Sequence, residues 1–295
     1  MTEQYQGVFP AVVTAYDSDG KVDPEAQKRV ARWLIDRGCK GLFVCGGTGE
    51  GLLMSEAERQ VVLEAVMEEV GQEATIIAHV GSVSPRETYR LAEHAVGLEV
   101  DAIAAIPGTY FLPGPEELLA HYTTLAEIAQ RPTLLYHIPA RTGVSLTLEL
   151  IDRLAQIPHV AGLKYTDHDL YTLQEMRADQ GEDFIILSGC DEMMVPARLM
   201  GSTGAVGTWY NVAPAVFVRA FEAAARGDWE EAVAEQKIGN RLIRTAHDLG
   251  GFALCKTGME ALGFPVGPPR RPVPQVDAEN RKRFTEFLES GGFLS

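Results

Sequence analysis

A (β/α)8 barrel followed by a helical extension is the fold this sequence predicts. Three observations carry it. Eight short apolar runs recur along the chain, an amphipathic segment follows each, and the 295 residues suit one barrel of about 250 residues plus extra helices. Strands alternating with helices imply parallel pairing through right-handed crossovers. Eight units suit closure better than an open doubly wound sheet, which is the alternative. The barrel is assigned to residues 1–227 and the extension to 228–295.

The elements follow in order. Run 7–16 precedes a helix over 24–37, which opens with Asp23 as N-cap and Pro24 at the first helical position. Run 41–46 leads to Ser55-Glu56-Ala57-Glu58, a capping box. Run 75–81 leads to a helix over 85–96, run 102–107 to 115–130, and run 133–139 to 147–156. Run 160–166 leads to 170–178, run 184–190 to 191–200, and run 204–209 to 213–226. Each run has the length of a buried strand. Further helices are predicted over 229–247, 253–262 and 278–288, with a proline-rich connector at 265–274.

Charge excludes two partner classes. With 26 Lys+Arg against 41 Asp+Glu, the chain carries a net charge of −15. Nucleic acid and anionic membrane surfaces repel such a protein. A small anionic substrate would need a few local donors against the global field. Cys39, Cys45, Cys190 and Cys255 lack metal-ligand or disulfide-framework spacing and read as buried thiols. Residues 1–5 lack the features of a signal peptide and no run of 18 apolar residues occurs, so a cytoplasmic protein is expected.

Lys164 is the residue that demands an explanation. It lies inside Val160-Ala161-Gly162-Leu163-Lys164-Tyr165-Thr166, a strand expected to be buried on both faces. Alternation puts Gly162, Lys164 and Thr166 on the inner face and Ala161, Leu163 and Tyr165 on the outer one. Burial disfavours an ammonium, and a neutral amine in a dry pocket attacks ketones to form a Schiff base. Gly162 is expected to leave room for the ligand. The structural alternative is a lysine paired with a carboxylate. The other six lysines (Lys21, Lys28, Lys40, Lys237, Lys256 and Lys282) fall on predicted helices or loops, where a solvated ammonium needs no explanation.

Neighbours with matching chemistry come from three other strands. Tyr136 shares a strand face with Leu134 and Ile138; if inward, its phenol stands beside Lys164 and can relay protons. Otherwise it is a core tyrosine bonded to backbone. Gly46-Gly47-Thr48-Gly49-Glu50-Gly51 ends the second strand, where backbone amides and the Thr48 hydroxyl can cradle an anion. Without a following GK[ST] it is no nucleotide loop, and alone it reads equally as a turn. Asp191 and Glu192, after the seventh strand, either accept from a polyol's hydroxyls or charge a helix start. His79 and His137 read as core residues rather than ligands, and Asp167-His168-Asp169 as a helix N-cap region. Neither a metal site nor a Ser-His-Asp triad is read.

These residues resemble the dihydrodipicolinate synthase/N-acetylneuraminate lyase family of class I aldolases over nearly the whole chain. Gly46–Glu50 is similar to the family's GGSTGE loop, Tyr136-His137-Ile138-Pro139 to its Y-N-x-P motif, and Gly162-Leu163-Lys164 to its Schiff-base lysine strand. Ala78-His79-Val80-Gly81, Gly189-Cys190-Asp191-Glu192 and Gly204–Asn211 resemble the lyase branch. The resemblance implies a lyase that cleaves a 2-keto acid sugar, such as N-acetylneuraminate, to pyruvate and an aldehyde. It implies no cofactor beyond the covalent Schiff base at Lys164, and a homotetramer built as a dimer of dimers. Lys164 would form the iminium and Tyr136 relay protons, while Thr48 and the Gly47 backbone would hold the pyruvyl carboxylate. Tyr110 would reach a neighbouring subunit's site, and Gly189, Asp191, Glu192 and Thr208 would contact the polyol tail. Gly47 replaces the family's serine and Thr208 the lyase serine. Arg141 is the synthase-like choice, able to bind a second carboxylate. That keeps dihydrodipicolinate synthase and 2-keto-3-deoxy-sugar-acid aldolases or dehydratases as alternatives, with a non-catalytic keto-acid-binding protein as the reading from another class.

Overall fold

The strands are β1 (Val8–Pro10), β2 (Gly41–Val44), β3 (Thr75–His79), β4 (Ala102–Ala105), β5 (Thr133–His137), β6 (Val160–Tyr165), β7 (Ile185–Ser188) and β8 (Gly204–Gly207). All pairings in the order β1-β8-β7-β6-β5-β4-β3-β2 are parallel. A bridge between Ala11 and Phe43, with Val12 N–H donating to Phe43 O at 3.1 Å, closes the β1–β2 seam. This is the predicted (β/α)8 barrel. The computed structural model describes residues 2–294; Met1 and Ser295, the outermost residues of the predicted segments, lie outside the described residues.

The helices are α1 (Pro24–Asp36), α2 (Glu56–Val70), α3 (Pro85–Gly97), α4 (Pro115–Ala129), α5 (Pro139–Thr142), α6 (Leu148–Ala155), α7 (Leu170–Gln180), α8 (Met194–Leu199) and α9 (Pro214–Ala225). Three more follow: α10 (Trp229–Leu249), α11 (Leu254–Ala261) and α12 (Ala278–Ser290). Local chemistry sets their starts. Asp23 accepts from Ala26 N–H ahead of Pro24, Ser55 and Glu58 form the predicted capping box, and Asp169 caps α7 by accepting from Thr172 N–H.

Strand alternation sorts the core into two layers. Phe9, Phe43, Ile77, Ala104, Leu134, Tyr136, Leu187 and Val206 fill the barrel. Val44, Ile76, Ile103, Leu135, Leu163 and Ile186 face outward and pack against the helices. One expected outward residue moves inside. The β5–β6 register shifts between Thr133 and Leu134, and this irregularity turns Ala161 toward the inner cluster.

Strands end earlier than the apolar runs, because the last residues of each run form the loops at the C-terminal ends of the strands. The predicted helix over 191–200 is split. Residues Asp191–Met193 form a 3-10 turn, with the Asp191 carboxylate taken by backbone amides elsewhere, and α8 starts only at Met194. Sequence reading missed α5, a single turn ended by Gly143 at φ 73°. Lys256 needs a correction. It is not solvated but buried, its Nζ 2.9 Å from Glu50 Oε1. Helical spacing alone could not show that α11 turns this position onto the barrel. Cys39, Cys45 and Cys255 are buried and Cys190 half-buried, all as free thiols. Burial pushes Cys45 up to about 11 and Cys190 up to about 12. No described helix is long and apolar enough to cross a membrane.

Candidate active site

β5 and β6 put Tyr136 and Lys164 in register. Lys164 is 4% exposed, and its Nζ donates to the Tyr136 hydroxyl at 3.0 Å. The same nitrogen lies 4.5 Å from the Phe43 ring centroid and 4.3 Å from that of Tyr136. Among the described residues no carboxylate lies within ion-pair distance of it, so the structural alternative of a carboxylate-paired lysine fails. The Tyr136 phenol meets the lysine rather than backbone. Phe43, at 5.8 Å, and His79, at 5.6 Å, stand edge-on to the Tyr136 ring and fix it.

Gly162 corrects the sequence reading. A Cβ there would collide with the Ile185 carbonyl and sit 2.6 Å from Ile185 Cβ. The glycine admits strand β7, not a ligand.

The glycine-rich loop is held from outside. The Thr14 hydroxyl donates to Gly49 O at 2.6 Å, Gly51 N–H to Gly46 O at 3.0 Å, and Glu50 N–H to Gly47 O at 3.1 Å. Gly49 is required because a Cβ would meet Val12 O at 2.7 Å. Among the described residues, the amides of Gly47, Thr48 and Gly49 find no hydrogen-bond acceptor. Such successive unbonded donors suit an anion. At Gly47 an added Cβ would enter open space, so the missing hydroxyl leaves room rather than closing it. The Thr48 hydroxyl lies 2.7 Å from that of Thr208, which links the loops after β2 and β8.

The opposite wall comes from β6, β7 and β8. Asp191 accepts from Thr208 N–H at 3.1 Å and Trp209 N–H at 2.6 Å, so it fixes Thr208 through the backbone. Burial pushes its carboxyl up to about 7, against the pull of those two amides. Glu192 is half-exposed, with Oε1 2.9 Å from His168 Nε2. A Cβ at Gly189 would run into the Thr166 hydroxyl. That hydroxyl is itself buried without a partner among the described residues, which adds Thr166 to the site. Its signal in the sequence was the face it shares with Lys164.

Arg141, on α5, is exposed at the same end and carries no ion pair among the described residues. Tyr110 is 84% exposed in the loop after β4, with Phe111 at 82% and Leu112 at 58%. The histidines divide. His137 accepts from Leu146 N–H at 3.2 Å and stacks on Tyr165. His79 donates from Nδ1 to Cys45 O at 3.1 Å; burial and then the Arg59 charge push it down to about 3, so it is neutral. Its Nε2 has no partner among the described residues. Among the described residues His168, Cys190 and Glu192 bring ligand atoms within 4.8 Å of one another. That grouping joins two loops and was invisible in the cysteine spacing.

The dihydrodipicolinate synthetase family model matches residues 4–290. The chain is 36% identical over 281 residues to the N-acetylneuraminate lyase of Citrobacter koseri, covering 94% of each protein. Among solved structures it is similar to a catalytic lysine mutant of the Ruminococcus gnavus sialic acid aldolase, with TM-score 0.94, 30% identity, and coverage of 98% and 97% of the two chains. It is also similar to a prophage protein of the dihydrodipicolinic acid synthase family from E. coli K12 in complex with pyruvate. That match has TM-score 0.92, 25% identity, and coverage of 98% and 99%.

Proposed function

The chain belongs to the dihydrodipicolinate synthetase family, and from that premise we propose that it is a pyruvate-releasing class I aldolase whose substrate is a 2-keto acid sugar like N-acetylneuraminate. One observation carries the chemistry: a buried amine with no carboxylate partner among the described residues, 3.0 Å from a phenol, at the loop-bearing end of a barrel.

Lys164 attacks the C2 ketone, and loss of water gives an iminium. Having given its own proton to the hydroxide that leaves as water when the iminium forms, Tyr136 as phenolate takes the C4 hydroxyl proton, the C3–C4 bond breaks, and its electron pair enters the iminium to form an enamine. The aldehyde departs. Protonation at C3 and addition of water then release pyruvate and restore the amine. The Gly47–Gly49 amides and the Thr48 hydroxyl bind the carboxylate, which resolves how a chain of charge −15 holds an anion through local donors. Glu192, Thr208, Thr166 and the remaining lone pairs of Asp191 face the polyol tail beside Gly189. No metal or organic cofactor enters these steps. The Tyr110-Phe111-Leu112 face supports self-association, with Tyr110 completing a neighbour's site in a cytoplasmic homotetramer.

A pyruvate-release assay over a panel of keto acids, with borohydride trapping, tests this. The expected result is pyruvate release from neuraminate and a stable pyruvyl adduct on Lys164. An adduct on another lysine, or none, sinks the mechanism.

Arg141 favours a second reading, a semialdehyde or dicarboxylate substrate as in the synthases. Its guanidinium is exposed, and unpaired among the described residues, at the site's end of the barrel, where it can bind a second carboxylate. Arg141→Ala is expected to lower turnover of such a substrate about tenfold or more and to change neuraminate cleavage little. The reverse ranking in paired kcat/KM measurements counts against this role for Arg141.

A further inference from the structure

One helix of the C-terminal extension reaches both walls of the site. On α11, Cys255 Sγ donates to Thr208 O at 3.5 Å. The next residue, Lys256, places Nζ 2.9 Å from Glu50 Oε1, with the two side chains 5% and 2% exposed. Glu50 ends the glycine-rich loop in left-handed backbone, φ 59°, without being glycine. Its second oxygen accepts Arg270 N–H at 2.6 Å. One carboxylate thus ties the loop to two separate stretches of the extension.

The groups around Lys256 complete a closed cluster. Its Nζ lies 3.4 Å from Pro268 O and 4.0 Å from the Tyr16 ring centroid. Arg270 lies over the same ring at 4.2 Å and pairs with Glu58 at 3.0 Å. Burying charges this way is costly, and packed apolar side chains would hold α11 on the barrel at least as well. What an ion pair adds is direction. A left-handed non-glycine residue persists only where its surroundings over-determine it. Here that residue borders the three unbonded amides of Gly47, Thr48 and Gly49.

We propose that Lys256 is a positioning residue for the substrate carboxylate. Through Glu50 it holds the Gly47–Gly49 amides at the angle that binds the anion, touching neither substrate nor Lys164. This rests on the reading of that loop as the carboxylate cradle.

The test is the pyruvate concentration that half-saturates borohydride trapping. Lys256→Met is expected to raise it about tenfold, as misplaced donors lose their alignment, with turnover at saturation changed less. That variant leaves Glu50 buried and unpaired, so the double variant Glu50→Gln/Lys256→Met is the companion. It keeps an acceptor for Arg270 N–H, removes both charges, and is expected to melt closer to the parent while keeping the raised half-saturation. An unchanged half-saturation in either folded variant, with normal trapping in the parent protein, overturns this inference alone and leaves Lys256 a structural support. Absence of any adduct in the parent overturns the cradle and this inference together.

Discussion

Replacing Lys164 with methionine is expected to reduce pyruvate release by at least about 10³-fold, since the step that makes the electron sink disappears. The same variant is expected to be no less stable than the parent. Its thioether matches the lysine stem in length and fills the space against Phe43 and Tyr136. The parent's Lys164 side chain is buried with one hydroxyl and two ring faces for partners, an arrangement kept for chemistry rather than for the fold. Pyruvate release and thermal melting on the same preparation check both halves. Turnover within tenfold of the parent, or a large drop in Tm, would contradict this account.

Tyr136→Phe is expected to lower kcat by roughly 10²–10⁴, the usual contribution of a positioned acid–base group. The ring stays, and with it the edge-on contacts to Phe43 and His79. Only the hydroxyl 3.0 Å from Lys164 Nζ is lost. Trapping of pyruvate on Lys164 should therefore survive in this variant while cleavage slows. Loss of trapping together with cleavage would instead make the phenol essential to iminium formation, and an unchanged kcat would remove it from the mechanism.

These two residues also show how much of the site was legible beforehand. Lys164 stood out because a lysine inside a doubly buried strand breaks the burial pattern, and Tyr136 because its strand parity matched. Thr166 was on the same face, but its unpartnered hydroxyl emerges only when Gly189 folds against it. Gly162 was misread because a glycine's lack of a side chain does not say whether a ligand or another strand takes the space. Lys256 was passed over for a parallel reason. Its place on a helix gave no sign that Glu50, 206 positions earlier, would meet it in the interior.

By itself, the sequence determined the periodicities: eight apolar runs, the helix caps at Asp23, Ser55 and Asp169, and the strand faces that carry Lys164 and Tyr136. These are local properties, set by the two-residue repeat of a strand and by side chains that bond backbone a few positions away. Only the tertiary structure decided what lies across the barrel: the Thr48–Thr208 contact, the diversion of Asp191 to the β8 loop, the inward turn of Ala161, and the buried Glu50–Lys256 pair. Each depends on which residues barrel closure and α11 packing bring together from distant positions, and no local repeat encodes that distance.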